Sequence, residues 1–173
     1  MIVYLIGVNH KVQFINDSSD PDLNNSFAKY LGELIDRFGA TLVAEEFSEE
    51  ALSVWRATAS LTKTVAKKKN VRHKFCDPGK EERKLIEADT KTIIHKLGIP
   101  GNKYYRQDDI SKIEKEDFKL RELYWLEKIR EETDDRAIFI CGQRHVESFY
   151  KLLIDNNIKC FVASENWGVD GSV

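Results

Sequence analysis

The stretch AIFICGQRHV, residues 137–146, decides the fold. Its first five residues are apolar and rich in isoleucine and phenylalanine, which predicts a buried strand over residues 137–141, and Gly142 predicts the turn that ends it. The apolar positions that follow have helical spacing: Val146, Phe149, Tyr150 and Leu153. A strand followed at once by a helix is half of a β-α-β unit, from which parallel sheets are built.

The same alternation of short apolar runs and helical stripes extends along the whole chain. Strands are predicted at residues 2–6, 41–46, 71–76, 137–141 and 158–163. Helices are predicted to end at Gly39, to run from Ser48 to about Lys69, to run from the turn at residues 77–79 to about Leu97, and to cover residues 111–132. We therefore predict an α/β fold with a mainly parallel sheet of about five strands flanked by helices. Residues 1–173 form a single domain, whose tail at residues 164–173 has no assignment.

Composition and charge limit the classes of partner. The 173 residues include 27 Lys and Arg against 29 Asp and Glu, a net charge of −2, with 42% hydrophobic residues. Such a chain is globular, and no overall positive field attracts a nucleic acid or an anionic membrane. No apolar run reaches the ~18 residues of a membrane span, and the first residues lack a basic leader.

The three cysteines point to a reducing compartment. Cys76, Cys141 and Cys160 each lie inside an apolar run, and their spacing fits neither a zinc site nor a disulfide framework. We expect three unbridged thiols in a cytoplasmic protein, with neither a nucleic acid nor a membrane as partner.

Two Gly-x-x-His motifs stand where predicted strands end. GVNH occupies residues 7–10 and GQRH occupies residues 142–145, and they hold two of the four histidines. Glycine permits a sharp turn off the strand, and ligands of parallel sheets bind outside the carboxyl ends of the strands, so we expect His10 and His145 to meet there. His145 falls in the first turn of a helix, where a neutral imidazole is favoured that can accept a proton or bind a metal. The alternative is that both rings only satisfy backbone groups.

A pair of glutamates, Glu45 and Glu46, ends the apolar strand TLVAEE. Carboxylates rarely follow such a run unless they are paired or bind a ligand. Strand alternation directs the two side chains to opposite faces, which predicts that one serves the site and the other a structural partner. Alternatively, both charges introduce the next helix.

Taken together, these motifs resemble the TraB/Tiki/erythromycin-esterase-like superfamily. The resemblance is carried by GVNH at residues 7–10, Glu45-Glu46, Arg121-Glu122-x-x-Trp125 and GQRHV at residues 142–146, in that order. It covers roughly residues 2–150. Glu122 stands where Asn or Asp is more common in that superfamily.

The resemblance implies a hydrolase acting on a small-molecule or peptide substrate. The implied site consists of His10, one or both of Glu45 and Glu46, Arg121 and His145. Some relatives are described as metal-dependent proteases and others as esterases. A divalent metal ion held by His10, Glu45 and His145 is one form of this chemistry.

A metal-free form of the same site is the other possibility for catalysis. A histidine held by a glutamate then acts as general base, and Arg121 steadies the developing oxyanion. Arg121 has an alternative as well, an ion pair with Asp117 at the surface. The alternative interpretation of the whole chain is a non-catalytic ligand-binding or regulatory protein on the same scaffold.

Overall fold

A five-stranded, all-parallel sheet organises the computed structural model, which describes residues 1–100 and 105–168. The strands are β1 Ile2–Val8, β2 Phe14–Ile15, β3 Leu42–Glu45, β4 Ala59–Ser60, β5 Arg72–Phe75, β6 Arg136–Gly142 and β7 Lys159–Trp167. The helices are α1 Pro21–Phe38, α2 Glu49–Val54, α3 Leu61–Lys68, α4 Lys80–Leu85, α5 Thr90–Lys96, α6 Gln107–Arg130 and α7 Val146–Asp155. The large sheet has the order β5-β3-β6-β1-β7, and β2 pairs with β4 in a small antiparallel sheet.

The predicted α/β fold with a mainly parallel sheet is confirmed, and the apolar run in β6 shows why it forms. Ile138 and Ile140 pack on one face of the sheet beneath α1 and α3. Phe139 and Cys141 pack on the other face beneath α6 and α7. A strand covered by helices on both sides must be apolar at every position, which is what AIFIC provides.

The single helix predicted from Ser48 to Lys69 is wrong, because the chain turns in the middle. Ser48 does begin a helix, as its Oγ accepts the backbone N–H of Ala51, but α2 ends at Val54 and Arg56 adopts a left-handed φ of 49°. The chain then forms β4, and Ser60 begins α3 by accepting the N–H of Lys63. A non-glycine residue in this conformation carries no local sequence signal.

The single helix predicted up to Leu97 is also wrong, for the same physical reason. α4 ends at Leu85, Glu87 has a left-handed φ of 59°, and α5 starts only after Asp89, whose carboxylate accepts the N–H of Thr92. The apolar period continues across the break. The cap at Asp89 is the signal that separates the two helices.

The last strand is longer than predicted and helps to close the core. β7 continues past residue 163 to Trp167, whose ring lies 4.8 Å from that of Phe27 on α1. The remaining part of the unassigned tail, residues 169–173, lies outside the described residues. Within the described ranges, no helix has both the length and the apolar character that a membrane span requires.

The cysteines are buried and unbridged, as predicted. Burial raises the pKa of Cys76 and of Cys160 to about 12, and it raises the pKa of Cys141 well above the ordinary value. Buried thiols of this kind are inert packing groups, since reaction requires the thiolate.

Replacing Gly7 with alanine should destabilise the fold by about 3 kcal/mol, because the new methyl group has no space. A Cβ at this position would lie 2.0 Å from the carbonyl oxygen of Glu165 on β7 and 2.5 Å from Cγ2 of Val146. Urea unfolding of the purified variant measures the loss.

Gly32→Ala is the matched control, since Gly32 is a buried glycine inside α1. Its added Cβ would meet only the flexible end of Lys69, at 3.1 Å, and alanine is favoured in a helix by roughly 0.5–1 kcal/mol. Equal losses of stability in the two variants would contradict the close approach of β7 to Gly7.

Candidate functional site

The carboxylate of Glu46 is the centre of a buried polar cluster at the carboxyl edge of the sheet. Its Oε1 accepts a hydrogen bond from Nη2 of Arg121 at 2.5 Å, and its Oε2 accepts the backbone N–H of Gly142 at 2.6 Å. Nε2 of His145 lies 3.4 Å from Oε1, and Nε2 of His10 lies 3.9 Å from it. The Glu46 carboxylate, which follows β3, is therefore close to residues that end or follow β1 and β6 and to one residue on α6.

His10 lies in the 3₁₀ turn that follows β1, with its side chain 46% exposed. Its Nδ1 lies 2.7 Å from Oε1 of the Gln13 amide, and a hydrogen bond donated by Nδ1 to this oxygen leaves Nε2 free to act as a base. A Cβ on Gly142 would lie 2.6 Å from Nε2 of His10. Only glycine therefore lets this ring approach Glu46.

His145 is buried at the start of α7 and is held from several sides. Its Nδ1 lies 2.7 Å from Oε1 of Glu122, which also accepts the hydroxyl of Ser148 at 2.6 Å. The ring of Phe118 packs against it with centroids 3.8 Å apart, and Trp125 meets it at an angle of 62°. Because a carboxylate accepts, Nδ1 donates this hydrogen bond, and Nε2 faces the site as in His10.

Arg121 lies in the middle of α6 and is surrounded by carboxylates. Besides Glu46, it donates from Nε to Oδ1 of Asp77 at 2.8 Å, and Asp117 lies 3.6 Å away. Trp125 Nε1 also donates to Asp77. The predicted pair with Asp117 is thus the longest of the three contacts. The N–H groups of Arg121 donate instead to Glu46 and Asp77.

Glu46 is ionised in the folded protein. Burial alone would raise its pKa, but the Arg121 guanidinium, the imidazoles of His145 and His10, and the Gly142 N–H together hold the pKa below its ordinary value. Burial also disfavours the charged form of Arg121, yet the carboxylates around it raise its pKa further. The centre of the site is therefore a buried ion pair.

Glu45 lies apart from this cluster, on the other face of the strand. Its Oε1 accepts the hydroxyl of Ser60 at 2.6 Å and lies 2.7 Å from Nε2 of His73. Of the five predicted site residues, the structure brings together His10, Glu46, Arg121 and His145, and it gives Glu45 these separate partners.

The donor atoms near Glu46 do not fit a divalent metal ion as they are placed. The predicted set of His10, Glu45 and His145 is not assembled, and on Glu46 the oxygen nearest both imidazoles already binds the guanidinium of Arg121. A cation on that oxygen would lie beside another cation. Over residues 1–100 and 105–168, no group of three or more His, Cys, Asp or Glu side chains could hold a metal ion.

Comparison with protein-family models, curated proteins and solved structures found no match. The TraB/Tiki-like resemblance therefore stays a prediction from the motif residues, and function has to be argued from the geometry of the site.

The sequence patterns assign no role to the two residues that hydrogen-bond to the rings of the site histidines, Gln13 and Glu122. Gln13 follows His10 by three residues, and this spacing within one tight turn is a signal that could have found it. Glu122 belongs to the Arg-Glu-x-x-Trp motif, but its contact with His145 spans 23 residues and depends on how α6 packs on α7. No local pattern predicts that contact.

The cluster opens into a cleft of about 330 Å³. Phe118 closes one side of it, and the polar residues that line it are Asn9, His10, Glu46, Arg121, Gln143, Arg144 and His145. A cleft of this size admits a small molecule or one residue of a peptide.

Glu46→Gln should reduce stability at neutral pH and lose its effect in acid. Because the folded pKa lies below the ordinary value of 4.5, the charge stabilises the fold above that value, and the contribution disappears as pH falls through the folded pKa. The free energy of unfolding, measured in urea at pH 7 and at several lower values, should differ between wild type and variant at pH 7, and the difference should shrink as the pH falls below 4.5.

Glu147→Gln removes an exposed carboxylate on α7 and serves as the control, with no such convergence expected. A difference between wild type and Glu46→Gln that grows as the pH falls would contradict an ionised Glu46.

Proposed function

We propose that this chain is a hydrolase that activates water for attack on a carbonyl group of a small-molecule or peptide substrate. One observation carries the proposal: Nε2 of His10 and Nε2 of His145 both face Oε1 of Glu46, while each Nδ1 is held by an acceptor at 2.7 Å. Two oriented imidazoles beside an ionised carboxylate are an arrangement suited to proton transfer.

The geometry supports a bound water between His10 and Glu46. Their separation of 3.9 Å is too long for a direct hydrogen bond and short enough for one bridging water. Nε2 of His145 faces the same oxygen, so the water proton that is not given to His10 can bond either to Glu46 or to His145. The groups that hold this water are themselves held by hydrogen bonds: His10 by Gln13, His145 by Glu122 and Glu46 by Arg121.

His10 is the proposed general base, because its half-exposed ring lines the cleft where substrate enters. As the water oxygen bonds to the carbonyl carbon, its proton passes to Nε2 of His10. Glu46 stabilises the imidazolium that forms, and this proton then passes to the leaving group as its bond to carbon breaks. His145 is more deeply buried and acts by positioning the water.

Arg121 supports this chemistry indirectly in the proposed mechanism. Its N–H groups hold Glu46 and Asp77, so it keeps the carboxylate charged and in place. The side-chain amides of Asn9 and Gln143 line the same cleft and can donate hydrogen bonds to the carbonyl oxygen as negative charge develops.

His10→Ala should lower kcat/KM for a small activated ester such as 4-nitrophenyl acetate by about 10²–10⁴. Glu122→Gln should lower it as well, because the amide can donate to Nδ1 of His145 and so favour the wrong tautomer. His95→Ala, on exposed α5, is the matched control and should retain full activity.

Circular dichroism and urea unfolding establish that each variant is folded. Full activity in folded His10→Ala and Glu122→Gln proteins would end the proposed assignment. Binding of the ester or its product without turnover, lost in His10→Ala, would support the ligand-binding alternative.

Elemental analysis tests the metal alternative on protein purified without chelator. The mechanism above predicts no stoichiometric divalent metal and unchanged esterase activity after dialysis against EDTA. One tightly bound metal ion per chain, absent from both His10→Ala and His145→Ala, would replace it with metal-assisted hydrolysis.

A further inference from the structure

A second cavity lies behind His145, in the seam between α6 and α7. It has a volume of about 600 Å³, and its lining residues recur at three- and four-residue spacing on the facing sides of the two helices. This volume falls within the range of small-molecule sites. The seam is a groove along the helices and is separate from the cleft above Glu46.

The floor of the groove is apolar and only partly covered. Phe118 and Leu123 of α6 and Leu152 of α7 line it, and Leu123 is 40% exposed. A leucine facing a neighbouring helix is ordinarily covered by that helix, so the open seam leaves apolar surface for an alkyl or aryl group.

The rim of the groove is positively charged. Lys115 and Lys119 stand one turn apart on α6, and Lys151 stands on α7. Lys119 lies 3.8 Å from Glu116, whereas Lys115 and Lys151 are exposed and form no ion pair with the described residues. Two carboxylates line the groove. Glu122 is hydrogen-bonded to His145, and Asp155 lies at the far end of α7.

The groove also contacts the groups that hold His145. Phe118 lines both the groove and the cleft, and its ring packs on the imidazole. Glu122 and Ser148 line the groove and form the hydrogen-bonded pair behind Nδ1. A molecule in the groove therefore touches the support of a histidine in the candidate site.

We propose that the groove binds a small amphipathic anion, with its alkyl chain on Phe118, Leu123 and Leu152 and its anionic head among the lysines. The apolar floor and the positive rim, in which Lys115 and Lys151 form no ion pair with the described residues, are complementary to the two ends of such a ligand. Its binding changes the environment of His145 through Phe118 and Glu122. This site does not depend on the hydrolase proposal, because it is tested by binding alone.

Sodium decanoate, below its micelle concentration, is the probe for isothermal titration calorimetry. We expect one site per chain, at least about tenfold weaker binding in Lys115→Gln/Lys151→Gln, and no measurable binding in Leu123→Asp. Leu123 is on the helix surface, so its replacement leaves the core intact. Lys29→Gln, at an exposed position of α1 in the other helix layer, is the matched control and should bind like wild type.

NMR of the histidine ring protons tests the contact with His145. Decanoate should shift the His145 signals in wild type and leave them unchanged in the Leu123→Asp variant. The proposal is overturned by equal binding of decyltrimethylammonium, by affinity that is unchanged in the lysine and leucine variants, or by specific binding that leaves the His145 signals in place. None of these outcomes depends on turnover, so they are distinguishable from a failure of the hydrolase assignment.

Discussion

The ion pair between Glu46 and Arg121 is the constraint around which the carboxyl edge of the sheet is built. Removing two charges from water costs several kcal/mol for each ion, and the cost is offset only where further hydrogen bonds complete the pair. Here the Gly142 N–H and the carboxylate of Asp77 supply them. The pair is therefore stable only when β3, β5, β6 and α6 are all in place. Loss of one partner leaves the other charge buried and unpaired, at a cost of about 3–5 kcal/mol.

The same constraint explains how two adjacent glutamates can both be buried. Glu46 extends the backbone pairing of β3 by donating its N–H to Ile140, while Glu45 is the last residue of the strand. Their side chains consequently meet different neighbours: a guanidinium and two imidazoles for Glu46, and Ser60 with His73 for Glu45. The two carboxylates have no partner in common, so they are independent in spite of being consecutive.

Much of this arrangement follows from patterns visible in the sequence, and the exceptions have physical reasons. The apolar run ending at Gly142 predicts a central strand because both sheet faces are covered, and strand alternation predicts the separation of Glu45 from Glu46. The left-handed residues Arg56 and Glu87 carry no such pattern, and only the helix caps that follow them, Ser60 and Asp89, mark the two breaks in the sequence. The contact of Glu122 with His145 likewise exists only through the packing of α6 on α7.

The position of β1 within the sheet has a consequence for how the chain reaches its native state. Ile2 pairs with Arg136 on one side and with Lys159 on the other, so β1 lies between two strands that follow it by more than 130 residues in the chain. Loops of this length close slowly, and local helices form long before them. Until then, β1 is an apolar segment with two unpaired edges, the kind of surface that associates with other chains and that chaperones recognise. The centre of the sheet, including the turn that carries His10, is therefore completed only after β6 and β7 have left the ribosome.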